Sequence, residues 1–212
     1  MRKRVLLLAV SCREGGLCPG GIDLDNPKNW IRIVKDDGVG GSVQGVDIDF
    51  ARPLDVIEFD GRPMPQGKQK ENWVIDNRSC VKTGTRSKAE LPQIYNNYGY
   101  HGFWNNLKSS LTEEEFERIT EPSESILKVS NVEIYKDDYD KAKIDFDWPG
   151  SRWRLKWVSM TDQEFYTRIN NGERIHINQA YIVISIPKDV SYVNPHTGQR
   201  QAFKFVSRVF EI

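Results

Sequence analysis

Histidine, cysteine and clustered carboxylates carry most protein chemistry, and in this 212-residue chain they are sparse or dispersed. His101, His176 and His196 lie far apart, and no spacing joins one of them to a nucleophile and an acid as a catalytic triad requires. Cys12 and Cys18 are separated by five residues, wider than the cysteine pair of a zinc ribbon, and Cys80 stands alone. So few cysteines form no disulfide framework, and a reducing compartment follows. Asp47, Asp49, Asp145 and Asp147 have the chemistry to seat a magnesium ion. For Asp145 and Asp147, pairing with arginines across a hairpin is the simpler role. Glu113, Glu114 and Glu115 follow Thr112 as a capping box, so they point in different directions from the start of a helix and complement its dipole. Gly38-Val39-Gly40-Gly41-Ser42-Val43 begins like a dinucleotide fingerprint but has valine where the third glycine belongs. No catalytic residue, metal ligand or cofactor site is assigned, and the chain is expected to be non-catalytic.

Binding chemistry is better represented. Thirty Lys and Arg balance thirty Asp and Glu, which excludes a histone-like binder and a polybasic membrane anchor. The charge is nonetheless segregated. Arg62, Lys68, Lys70, Arg78, Lys82, Arg86 and Lys88 face only Glu71 and Asp76 in their stretch, a local excess of five positive charges. Between Thr112 and Asp147, twelve acids outnumber five Lys and Arg. Proteins that hold single strands combine a cationic groove with aromatic platforms. Trp73 lies inside the basic stretch, and Trp30 shares a strand face with Arg32. The expected interface is Trp30, Arg32, Lys68, Lys70, Trp73, Arg78, Lys82, Arg86 and Lys88, with single-stranded DNA or RNA as the ligand. A second basic-aromatic patch, Arg152, Arg154 and Lys156 with Trp153 and Trp157, is discounted. Strict alternation turns its tryptophans away from its cations, and Asp145 and Asp147 neutralise the arginines.

The elements that must position these residues are mostly strands. The apolar run Val5–Val10 is too short for the core of a signal peptide and reads as a buried first strand. Short strands follow at 30–34, 54–59 and 73–76, separated by glycine-rich loops, a spacing that favours a small β-barrel over βαβ units. Helices are expected at 91–98, at 103–111, and from the Thr112 cap through Ile119. The alternating segments 141–148 and 152–157 form a hairpin about Pro149-Gly150, pairing Asp147 with Arg152 and Asp145 with Arg154. A second capping box at Thr161 opens a helix through Ile169, and strands at 180–186 and 203–210 close the chain.

Three groups of residues resemble the bacterial dual OB-containing domain family. They are Ser11-Cys12-Arg13-Glu14-Gly15-Gly16-Leu17-Cys18 through Asp23 with Trp30-Ile31-Arg32; Leu54–Ile57 with Glu71-Asn72-Trp73; and Arg154-Leu155-Lys156, Asp162 with Phe165, Tyr181–Ile186 and Phe203-Lys204-Phe205-Val206. The family pattern has proline after Trp-x-Arg, where Ile33 stands here. The resemblance implies two OB-like barrels in tandem and a nucleic-acid-binding role, and it brings no catalytic residues.

The expected protein is therefore mostly β: an OB-like barrel over residues 1–87, a helical connector over 88–125, and a second barrel with an inserted helix over 126–212. It is expected to be cytoplasmic, with no membrane segment and no cofactor. Beside nucleic-acid binding stand two other readings. One is a protein-protein adaptor of a bacterial multi-component system. The other is a small-ligand or nucleotide sensor, using the Gly15–Gly21 loop as an anion nest.

Overall fold

The computed structural model describes the chain apart from residues 14–15, 38–40, 44–47, 77–78, 100–103, 105, 149–151 and 196, and apart from the side chains of 12 and 13. It divides into two compact units, Met1–Tyr98 and Gly99–Ile212.

The first unit opens with β1 (Arg2–Arg13), whose Val5, Leu7 and Leu8 are fully buried. From Gly16 on, the glycine-rich segment that the sensor reading uses as an anion nest is β2 (Gly16–Asp23), antiparallel to β1. Its glycines serve close approach: a Cβ on Gly21 would stand 2.0 Å from the carbonyl oxygen of Leu6. Then come β3 (Trp30–Val34), β4 (Asp55–Pro63), β5 (Asn72–Ile75) and β6 (Val81–Thr85). β3 runs parallel to β5, β5 pairs with β4, and β4 returns to β1, so the hydrogen-bonded order β1-β2-β3-β5-β4 meets its own beginning. β6 lies along the other edge of β4. Val5, Leu7, Ile31, Ile33, Ile57 and Phe59 form the heart of the core. A 3-10 turn at Lys88–Glu90, capped by Ser87, leads into α1 (Leu91–Tyr98).

The second unit contains a closed barrel. Its strands are β8 (Glu124–Lys136), β9 (Ala142–Asp147), β10 (Arg154–Met160), β11 (Ile175–Ser185) and β14 (Phe205–Glu211). Counting its strands from first to fifth, the pairings run first-second-third-fifth-fourth-first, with third and fifth parallel. That is the order of the β1-to-β5 circuit in the first unit. α3 (Gln163–Asn170) lies between the third and fourth strands, and its N-cap is Asp162 rather than the expected Thr161. The Asp162 carboxylate accepts from the Glu164 and Val209 amides and pairs with Arg208, tying the helix start to β14. Outside the barrel, β7 (Ser110–Thr112), β12 (Tyr192–Val193) and β13 (Arg200–Phe203) form a small sheet.

Residues 88–125, expected as one helical connector, divide between the units: Lys88–Tyr98 counts with the first and the rest with the second. The helix expected over 103–111 falls partly outside the described residues, and its end is the strand β7. α2 (Glu113–Glu117) carries the Thr112 capping box with both reciprocal bonds, as the sequence predicts. No helix among the described residues is long and apolar enough to cross a membrane.

Candidate nucleic-acid interface

Burial takes Trp30 and Arg32, and ion pairing takes Lys82 and Arg86, out of the expected first-unit interface. Trp30 is 5% exposed and Arg32 8%, because every residue of β3 is buried and both its faces are covered. A ring in that position cannot stack on a base, and its exposure is a correction. Arg32 lies against buried polar neighbours, its amide donating to the Glu71 carbonyl beside Asn72. Trp73 is half-buried against the first core, with the Lys3 ammonium 4.8 Å from its ring centre. Lys3 in turn reaches Asp23 at 2.6 Å. Lys82 stands 2.6 Å from the buried Asp55 carboxylate, and Arg86 3.2 Å from Glu90. Lys68 is half-buried. Lys70 and Lys88 are exposed and form no ion pair among the described residues. Arg78 lies outside the described residues. Among the described residues the basic stretch thus includes local pairs, Lys82 with Asp55 and Arg86 with Glu90, beside the unpaired Lys70 and Lys88.

The discounted patch proves to be the more open one. The ladder places Arg154 opposite Asp147 and Leu155 opposite Phe146, then Val158 opposite Ile144. Two residues on β10, Lys156 and Trp157, therefore oppose one on β9, Asp145, a β-bulge. Leu155 and Val158 are buried while both residues between them, Lys156 and Trp157, face solvent. Trp157 adopts φ +60°, the left-handed region uncommon for a bulky side chain. Trp153 and Trp157 are 69% and 67% exposed, the two most exposed tryptophans among the described residues. At the β8–β9 turn, Asp137 accepts from the Tyr139 and Lys141 amides, leaving Tyr139 83% exposed at the tip.

Electrostatically this face is mixed. Arg154 pairs with Asp147 at 3.0 Å and Glu133 at 3.6 Å, and donates to the Asn131 carbonyl at 2.7 Å. The Asn131 amide at 2.7 Å, with Arg154, holds the Asp147 carboxyl below its usual range against partial burial. The expected pairing of Asp145 with Arg154 is corrected: the six-residue connection 148–153 keeps the parity but moves the register by two residues. Asp145 instead accepts from the Trp157 amide at 2.8 Å and the Tyr135 hydroxyl at 3.0 Å. Burial, then that carboxylate, pushes the Tyr135 hydroxyl up to about 12. Lys143 reaches the Ser159 hydroxyl at 3.3 Å. Arg152 and Lys156 are exposed and unpaired among the described residues. The face therefore offers two indoles with two free cations.

Elsewhere the second unit is less suited to phosphates. An open cleft of about 640 Å³ is lined by Glu113, Glu114 and Glu117, with Arg200 already 2.9 Å from Glu113. No group of three or more His, Cys, Asp or Glu suited to a metal occurs among the described residues.

The alternation that hid the tryptophans also contained the clue. Leu155 is apolar at an odd position, and Val158 and Met160 at even ones. A change of phase within one strand is the mark of an inserted residue.

A closed five-stranded barrel with this strand order is OB-like. The dual OB-containing domain family matches residues 3–209, and the chain belongs to that family. No curated protein and no solved structure matches it.

Proposed function

We propose that the protein is a non-catalytic module of two OB barrels, the first built on the β1-to-β5 circuit, that binds single-stranded DNA or RNA on the β9–β10 face. The observation that carries this reading is the exposure of Trp153 and Trp157 beside Arg152 and Lys156. A base stacked on an exposed indole contributes ~1–3 kcal/mol, whatever the base. Two free cations supply only a modest phosphate attraction. Stacking then dominates affinity, and salt dependence is shallow. Fluorescence titration with oligothymidylate and oligouridylate of about 15 nucleotides at ~50 mM salt tests it. Quenching and binding are expected in the wild type, with losses in Trp153→Ala and Trp157→Ala. No binding to either strand removes the reading.

The internal neutralisation of Arg154 by Asp147 and Glu133 favours a second reading, an adaptor whose exposed tryptophans anchor a partner protein. Capture of a partner from nuclease-treated host lysate, lost in Trp153→Ala/Trp157→Ala and accompanied by no oligonucleotide binding, selects it.

A further inference from the structure

We infer that Asp145 is a positioning residue of this surface: its carboxylate holds the Trp157 peptide in the left-handed conformation and so presents the indole to the ligand. The inference rests on the stacking reading of Trp157 and adds a requirement to it. Asp145 is 7% exposed and meets no ligand itself. Its Oδ1 accepts two hydrogen bonds, from the Trp157 backbone amide at 2.8 Å and from the Tyr135 hydroxyl at 3.0 Å.

The geometry explains why such an acceptor is needed. At the bulge the β10 chain carries one more residue than β9, so an amide there loses its place in the ladder. A tryptophan with positive φ is unfavourable on its own, and neither glycine nor asparagine stands at 157 to relieve it. Asp145 sits on β9 between the two ladder pairs that flank the bulge, and its carboxylate supplies the missing acceptor. Tyr135, on β8, fixes that carboxylate from the other side and is itself packed under the Arg174 guanidinium, 5.4 Å from its ring centre. A buried acid, a phenol and a bulged amide thus join three neighbouring strands into one support.

The test compares Asp145→Asn with Asp145→Ala. The asparagine keeps an oxygen that accepts from both donors, so affinity for oligothymidylate stays within about two-fold and the Trp157 amide stays protected from hydrogen exchange. The alanine removes the acceptor. The Trp157 amide then exchanges about ten-fold or more faster, its indole resonance shifts, and affinity falls to that of Trp157→Ala. The double variant Asp145→Ala/Trp157→Ala is expected to bind no more weakly than Trp157→Ala alone, a non-additivity that a merely structural role does not produce. Unchanged protection in Asp145→Ala, or additive losses in the double variant, overturns the inference. Should Asp145→Ala not fold, Asp145→Ala/Trp157→Gly decides. Glycine takes positive φ without support, so recovery of the fold supports the assignment and failure to recover it overturns it. If wild type binds no oligonucleotide, the stacking reading fails, while hydrogen exchange at Trp157 still reports on Asp145 by itself.

Discussion

Lys204 is a residue whose burial has a measurable cost. It is fully buried, donates to the Asn106 carbonyl at 2.5 Å, and lies 6.0 Å from the Trp104 ring centre. Burial lowers its pKa from 10.5 to about 6, with Glu115 opposing the fall. A depressed folded-state value means that the unfolded chain binds the extra proton between those limits. Stability from this group is complete above the unfolded value and declines as pH falls toward 6. Urea midpoints are therefore expected to rise between pH 6 and pH 9 in the wild type, and less so in Lys204→Met; equal slopes would discard the assignment. The pair Asp147–Arg154 is the counterpart at the surface. Both side chains are about a third exposed or less. Partly exposed pairs of this kind couple by only ~0.2–1 kcal/mol. A double-mutant cycle in denaturant is expected to find that coupling for 147 with 154, and none for 145 with 154. Trp30 is a third case: its burial predicts that Trp30→Ala destabilises the fold by ~3–5 kcal/mol, read from denaturation midpoints, as truncation of a buried aromatic does.

At the scale of elements, glycine marks where two backbones must approach. Gly21 on β2 faces Leu6 on β1, and an added Cβ there would meet backbone atoms at 2.0 and 2.8 Å. Backbone cannot swing aside as a flexible side chain can, so Gly21→Ala is expected to cost ~1–3 kcal/mol or more. Gly84 on β6 provides the contrast, with nothing within 4 Å of its added Cβ. Gly84→Ala is expected to be neutral, or to stabilise by up to ~1 kcal/mol, since a strand glycine has more freedom to lose. Thermal unfolding of the two variants checks both signs. The bulge in β10 is the other decisive element feature. One inserted residue moves Trp157 from the interior face to solvent without changing which strands pair.

For the whole molecule, a net charge of zero with segregated signs does not by itself make a phosphate track. Lys82 and Arg86 are held by Asp55 and Glu90, so the basic stretch presents less free charge than its composition suggests. Among the described residues the proposed binding face has two unpaired cations, and for a single strand each phosphate contact adds about −0.7 to the slope of log affinity against log salt. The slope is expected near −1.4, and Lys156→Gln is expected to bring it close to −0.7, measured by anisotropy across ~50–200 mM salt. A slope several times steeper would move the interface away from β9–β10, toward a more basic surface.

Much of the architecture was legible from local pattern. The strands expected at 30–34, 73–76 and 141–148 and the α2 capping box were visible because alternation and cap chemistry act over a few neighbouring residues. Two strands were less legible: β2, because glycines that permit close strand approach look like turn residues, and β8, because Asn131 at φ +48° interrupts its alternation. The interface was not legible in the same way. Whether Trp30 is core or platform depends on what covers both faces of β3, and whether Lys82 is free depends on Asp55, twenty-seven positions away. The exposure of Trp157 required the bulge and the Asp145 acceptor on the adjacent strand. Sequence by itself determined a mostly β chain of the dual OB-containing domain family. Tertiary structure decided which aromatics and cations face water, because solvent exposure is set by contacts between segments distant in the chain.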